Sequence, residues 1–403
     1  MSETAWESRW GTVLCLVCFR RTYPEHVILR CPKSESHPGS TISSELLRQH
    51  QPVFISPHEA FDLGANLRRR YDCPEGLPHS YELACPRCEA PLRLSLDARG
   101  RRLVFFVGPP GSGKTMLFYA IKRTLGYGPT AATIFPAQAA DDFERLVENP
   151  LNKGELPAGT VDALARDGRA GSAASVPEGR SVRTLALDIR AWEVLLPVID
   201  PQGEDFRSTT AFGMSVEARL RHASGLFIVV DPTRVPELRP DRGQGAMQAT
   251  GDSYNYQTLV QSLHESSGVR YGSQARLSAC VLVTKADSLR NCRQYQDIEN
   301  AMARSDEMAM PTDSTDQSGW ESAAVEAREI SRAFAETLKE LNLGNLVRTL
   351  QQSFDHTAFF PVSCIDEERI DRDAQGRALS LRSEPKPHGV AAPLLWMASE
   401  VRG

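Results

Sequence analysis

The run VFFVGPPGSGKT, from Val104 to Thr115, restricts the fold more than any other stretch of the chain. An apolar strand leads into GxxxxGK[ST], met at Gly108, Gly113, Lys114 and Thr115, and a helical pattern follows. A chain that turns this tightly from strand to helix brings several backbone N–H groups and the positive helix end onto one anion. Lys114 is then expected to reach the β and γ oxygens of a bound nucleotide and Thr115 to offer its hydroxyl to Mg²⁺, with Pro109, Pro110, Gly111, Ser112 and Met116 completing the turn.

The chain around that loop reads as α/β. Apolar strands are expected at LVFFV (from Leu103), VRTLALDI (from Val182), WEVLLPVID (from Trp192), GLFIVVD (from Gly225), ACVLVTK (from Ala279) and TAFFPVS (from Thr357). Helices are expected after Lys114, at 214–223, 254–265 and 322–341, and in the closing GVAAPLLWMASEV. Only about two residues separate VRTLALDI from WEVLLPVID, too few for a parallel crossover, so these two strands must form an antiparallel hairpin. The expected architecture is a three-layer domain with a mostly parallel sheet and one antiparallel edge hairpin. It spans 98–403, and stretches rich in Gly, Pro, Ser and charge suggest insertions near 130–180, 236–254, 303–320 and 366–387.

Residues 1–97 differ in kind. Six of the nine cysteines fall here: Cys15 and Cys18 in CLVC, Cys85 and Cys88 in CPRC, and Cys31 and Cys73 between them. Two CxxC pairs can each clamp one edge of a tetrahedral Zn²⁺. Cys31 with His37 and Cys73 with His79 repeat one Cys-to-His spacing, so a second ion is the alternative to one ion held by four cysteines. A formal charge of −5, 24% charged residues and no basic face interleaved with aromatics give no sign of nucleic acid. The first apolar run is too short for a membrane span, and the expected location is the cytoplasm.

Three short stretches address the nucleotide. TKAD places Thr284, Lys285 and Asp287 at the end of a strand, where a carboxylate accepts the N1–H and N2–H of guanine but meets a lone pair on adenine. Lys285 is expected along the base plane, and Ser363 and Cys364 in PVSC offer backbone to the base oxygen. VIDPQGEDF carries Asp200 and Gly203 as DxxG, with Asp200 expected to hold Mg²⁺ through water and the Gly203 N–H to touch the γ-phosphate. Asp231, at the end of LFIVVD, is the alternative metal carboxylate.

A phosphate loop, then an antiparallel hairpin ending in DxxG, then a TKxD strand resembles the Ras-like and translation-factor-like class of P-loop GTPases. With the cysteine-rich start and the ending VAAPLLWMA, the chain resembles the zinc-ribbon-bearing members of the bacterial double-GTPase families. That resemblance implies a Mg²⁺-dependent molecular switch that binds and hydrolyses GTP, cycles through GDP, and works with a protein partner, a second GTPase or an effector, in bacterial conflict systems. It implies catalytic roles for Lys114 and Gly203. The position of the family's catalytic glutamine is held by Glu204, which orients water as a carboxylate or leaves that task to a partner; Arg207 is the candidate arginine in the same chain. Thr160 is preferred to Thr130 and Thr133 as the threonine that closes over Mg²⁺. Two other readings stay open: a nucleotide-bound scaffold that does not hydrolyse and docks a partner through its zinc module, and an ATPase in which TKAD is accidental.

Overall fold

The computed structural model describes residues 13–15, 21–22, 28–30, 82–85, 102–109, 111–126, 133–135, 143–155, 185–189, 192, 194–198, 223–235, 256, 259–260, 263, 275–311, 317–365, 369–372 and 378–402. Chain contacts divide the molecule into two units, one comprising 1–100 with 177–184 and the other 101–176 with 185–403.

In the first unit, β1 (Val13–Leu14) pairs antiparallel with β2 (Arg21–Thr22), and β3 (Ile28–Arg30) pairs antiparallel with β4 (Glu82–Ala84). The pairing of Leu14 with Arg21 closes a short connection that contains the first CxxC. Cys15 and Cys85 follow directly on β1 and β4, and both are fully buried. Cys18, Cys31, Cys73, Cys88, His37 and His79 lie outside the described residues. Among the described residues there is no cluster of three metal-ligating side chains.

In the second unit the elements run in the order β5 (Arg102–Val107), α1 (Lys114–Leu125), β6 (Thr133–Phe135), α2 (Asn149–Asn152), β7 (Leu185–Ile189), β8 (Val194–Val198), β9 (Gly225–Val230) and β10 (Ala275–Val283). There follow α3 (Tyr295–Asp306), α4 (Gln317–Leu338), α5 (Gly344–Ser353), β11 (Phe354–Pro361), β12 (Ile370–Arg372), β13 (Ala378–Leu381) and α6 (Ala391–Arg402). The main sheet has the order β11-β10-β9-β5-β8-β7-β6. From β11 to β8 all neighbours are parallel; β7 is antiparallel to both β8 and β6. The phosphate-loop strand β5 therefore lies between β8 and β9, whose carboxyl ends carry the chain towards Asp200 and to Asp231.

Periodicity explains the layering. All six residues of β9 are buried, as expected of a central parallel strand covered on both faces. One set of alternating side chains, Val104, Phe106, Phe227, Val229, Cys280 and Leu282, joins a core cluster with Leu117 and Phe118 of α1 and Leu395 and Trp396 of α6. The other set, including Phe105, Val107, Leu226, Ile228 and Val281, is buried as well. Each fully buried Phe or Leu of this kind contributes about 1.5–3 kcal/mol, so the sheet is held by many modest terms.

The hairpin read from the two-residue gap is β7 and β8, in register from Leu185 with Val198 to Ile189 with Val194. It is not the edge of the sheet, as the sequence suggests, because β6 adds a strand beyond it from within the supposed 130–180 insertion. Two other supposed insertions also contain regular structure. Residues 303–320 hold the end of α3 and the start of α4, and 366–387 hold the antiparallel pair β12 and β13. Trp192, in the hairpin turn, stacks edge-on against Trp320 of α4 at 5.3 Å and donates its indole N–H to the Pro311 carbonyl at 3.2 Å. No helix among the described residues is long and apolar enough to cross a membrane.

Candidate functional site

β5 delivers the chain into a turn whose shape depends on its glycines. A Cβ on Gly108 would stand 2.7 Å from the Val229 carbonyl oxygen, so the loop can lie against β9 only without a side chain there. Gly111 and Gly113 have φ of +69° and +94°, in the left-handed region open to glycine. Gly113 caps α1, and Lys114 is its first residue. The Lys114 side chain folds back into the loop and donates to the Gly108 and Pro109 carbonyls, 3.0 Å each. Thr115 is half-exposed at the helix start, Met116 packs against the core, and Pro110 lies outside the described residues. The Ser112 hydroxyl is buried and makes no hydrogen bond among the described residues.

The strand β10 brings TKAD to this loop. The Thr284 hydroxyl lies 2.7 Å from the Ser112 carbonyl oxygen and donates to it, binding the carboxyl end of β10 to the phosphate loop. Lys285 adopts φ +51°, a left-handed conformation that strains a residue with a Cβ. Its ammonium donates to the Gly111 carbonyl at 3.3 Å and to Asp231 Oδ2 at 2.6 Å. Asp287 is nearly buried, and the Ser363 hydroxyl donates to its Oδ1 at 2.7 Å.

Ser363 is itself fixed. It exchanges two backbone hydrogen bonds with His388, at 3.0 and 2.7 Å, and Asp306 Oδ1 and Oδ2 hold the Gly389 amide and His388 Nδ1, both at 2.8 Å. The Ser363 N–H is thus occupied by the His388 carbonyl and not free to donate to a base oxygen, which the sequence reading expects of it; its hydroxyl is spent on Asp287. Cys364 follows, and burial, reinforced by the Asp287 carboxylate, pushes its thiol up to about 12. Nothing in the local sequence announces His388 or Asp306: they lie 25 and 57 residues from Ser363 along the chain.

Asp231 does not have the setting of a metal carboxylate. It is fully buried, Oδ1 accepts from the Thr233 amide and hydroxyl at 3.0 and 2.6 Å, and Oδ2 faces Lys285 and, at 3.7 Å, Arg234 Nε. Its partners are cationic side chains and hydroxyl or amide donors, all of which compete with a divalent ion. Asp200, Gly203, Glu204, Arg207, Thr130 and Thr160 lie outside the described residues, and Thr133 belongs to β6.

The sequence matches no protein-family model and no curated protein. Among solved structures, the chain is similar to the GTPase-like domain of S. cerevisiae Ski7 bound to GDP and inorganic phosphate, at 14% identity and a TM-score of 0.31, over 66% of this chain and 43% of that one. It is also similar to a bacterial selenocysteine-specific elongation factor, EF-Sec, at 12% identity and a TM-score of 0.25, over 65% of this chain and 25% of that one. A third similarity is to Sup35 complexed with GDP, at 12% identity and a TM-score of 0.25, over 73% of this chain and 47% of that one. The chain thus spans less than half the length of each, and these scores are too low to carry an argument. What the chain's own geometry shows is an α/β sheet in which β5 turns through a glycine loop into α1.

Proposed function

We propose that this chain is a Mg²⁺-dependent guanine-nucleotide-binding protein that hydrolyses GTP and acts as a switch. The observation that carries the reading is the Thr284 bond to Ser112, which joins a base-reading segment to a phosphate-holding one, beside a buried Asp287 oriented by Ser363. A carboxylate accepts up to about four hydrogen bonds, so Asp287 can take the Ser363 proton and the two guanine donors together. Two charge-assisted bonds of ~1.5–3 kcal/mol each favour guanine over adenine by roughly a hundredfold or more.

Within this reading, the backbone N–H groups that the loop from Gly108 to Thr115 carries outside its two prolines hold the phosphates, and Lys114 exchanges its loop carbonyls for the β and γ oxygens when a nucleotide enters. The residue types fit a Mg²⁺ ion: Thr115 is the second residue of α1, and Asp200 lies two residues past the last residue of β8, the strand beside β5. Such an ion would neutralise charge on the β and γ oxygens. Glu204 orients the attacking water, or a partner supplies the group that does so. The cysteine module holds zinc; what supports this is the CxxC spacing and the burial of the first cysteine of each pair. A protein partner and a role in bacterial conflict rest on the family resemblance.

The test is calorimetric titration with GDP, a non-hydrolysable GTP analogue and the matching ATP analogue, each with Mg²⁺. Guanine nucleotides are expected to bind at least about a hundredfold tighter. In Asp287→Asn the preference should move to xanthosine nucleotides, because the donor pattern at that base edge is inverted. Equal affinity for adenine in the wild type, with no shift in the variant, overturns the reading.

A further inference from the structure

Asp231 is fully buried, at the end of the strand that flanks the phosphate loop, and it faces two cations. Its Oδ2 accepts from Lys285 Nζ at 2.6 Å, and Arg234 Nε is 3.7 Å away. The other oxygen is seated by Thr233, and the Asp231 amide donates to the Tyr256 hydroxyl at 2.8 Å. Both cations lie along the outer lip of the phosphate loop. Lys285 donates to the Gly111 carbonyl, and an Arg234 terminal nitrogen stands 3.0 Å from where a Cβ on Gly111 would be.

We propose, on the reading that this is a guanine-nucleotide site, that Asp231 is a positioning residue that holds Lys285 across Gly111 before the nucleotide arrives. Lys285 is 45% exposed and has four rotatable side-chain bonds, so without an anchor its ammonium samples solvent and its stem samples many rotamers. Anchored at both Gly111 and Asp231, the stem forms a fixed wall beside the base, and less freedom is lost on binding. The strained backbone at Lys285 fits this role, since a left-handed lysine persists only where its surroundings hold it. Asp231 touches no nucleotide in this account and acts through Lys285.

A double-mutant cycle on GDP affinity and dissociation rate tests the proposal, with Mg²⁺ present and a fluorescent GDP as probe. Asp231→Asn is expected to weaken GDP about tenfold, mainly through faster dissociation, while the ratio of GDP to ADP affinity stays constant because Asp287 still reads the base. Lys285→Met should also weaken binding, and the double variant should be no weaker than Lys285→Met. Additive losses, an altered base ratio, or a lost Mg²⁺ dependence in Asp231→Asn overturns the proposal.

Thermal melting shows whether Asp231→Asn folds. If it does not, Thr233→Val on the exposed turn removes one of the donors that seat Asp231 and keeps the question open to measurement. That variant should speed GDP release in the wild-type background and leave it unchanged beside Lys285→Met; equal effects in both backgrounds overturn the proposal. The guanine reading fails separately: if the wild type takes ADP as readily as GDP, the same cycle read on ADP still decides the role of Asp231, and if it takes neither nucleotide both fall.

Discussion

Ser363 orients Asp287 with one hydroxyl, and the energetics of that bond can be isolated. A hydrogen bond to a charged group is worth about 1.5–3 kcal/mol, and Asp287 is too buried for water to replace the donor freely. Ser363→Ala is therefore expected to weaken GDP about tenfold or more, with ADP affected far less, as read by titration of both nucleotides. Equal losses for the two would mean that Ser363 supports the fold and not the base-reading carboxylate. The neighbouring Cys364 gives a pH signature. Its thiol is pushed from 9.0 to about 12, so the folded state favours the protonated form. Stability from this group is full below pH 9.0 and is lost as pH rises from there towards about 12. At neutral pH Cys364 should resist alkylation by iodoacetamide in the native chain and react only after denaturation, as peptide mass mapping would report.

At the scale of elements, α6 and β9 meet where no side chain fits. A Cβ on Gly225 would run into Met397 Sδ and crowd Val401, so the helix sits against the start of β9 only because that strand begins with glycine. Gly225→Ala should lower stability by about 1–3 kcal/mol in urea melts, the range for overpacking a filled core. Met397→Ala, itself destabilising, should relieve part of that loss, so the pair should cost less than the sum of the two. Elements that bury long apolar stripes are the ones the sequence discloses. Tyr256, Leu259, Val260 and Leu263 are helical and buried at the spacing of one helix face, within the expected 254–265. By contrast α3 buries only Ile298, Ala301, Met302 and Ser305, too small and too polar a stripe to stand out from its Asp, Gln and Asn neighbours. The pair β12 and β13 is three and four residues long, too short for alternation to register, so 366–387 reads as loop. The candidate site divides in the same way. Gly108, Lys114, Thr284 and Asp287 follow from local motifs, whereas the links from Asp231 to Lys285 and from Ser363 to Asp287 join residues 54 and 76 positions apart and emerge only when the sheet is assembled.

At the scale of the whole molecule, the nucleotide residues and the paired CxxC motifs belong to different units. Every residue assigned here to the nucleotide lies between 101 and 403 outside 177–184, and every assigned cysteine ligand lies within 1–100. The described strands of the first unit are two or three residues long and contribute little stability, and structural zinc in small domains supplies folding energy directly. The purified chain is expected to contain zinc at one or two ions per chain by elemental analysis, and Cys15→Ser with Cys85→Ser should reduce that content. Removing the metal with a strong chelator should make 1–100 sensitive to limited proteolysis. GDP affinity should change by less than about twofold, because the cysteines and the nucleotide residues belong to different units of the chain. A large loss of GDP affinity on chelation would instead tie the metal to the nucleotide site, and metal-free chain with an intact, protease-resistant first unit would remove zinc from the account altogether.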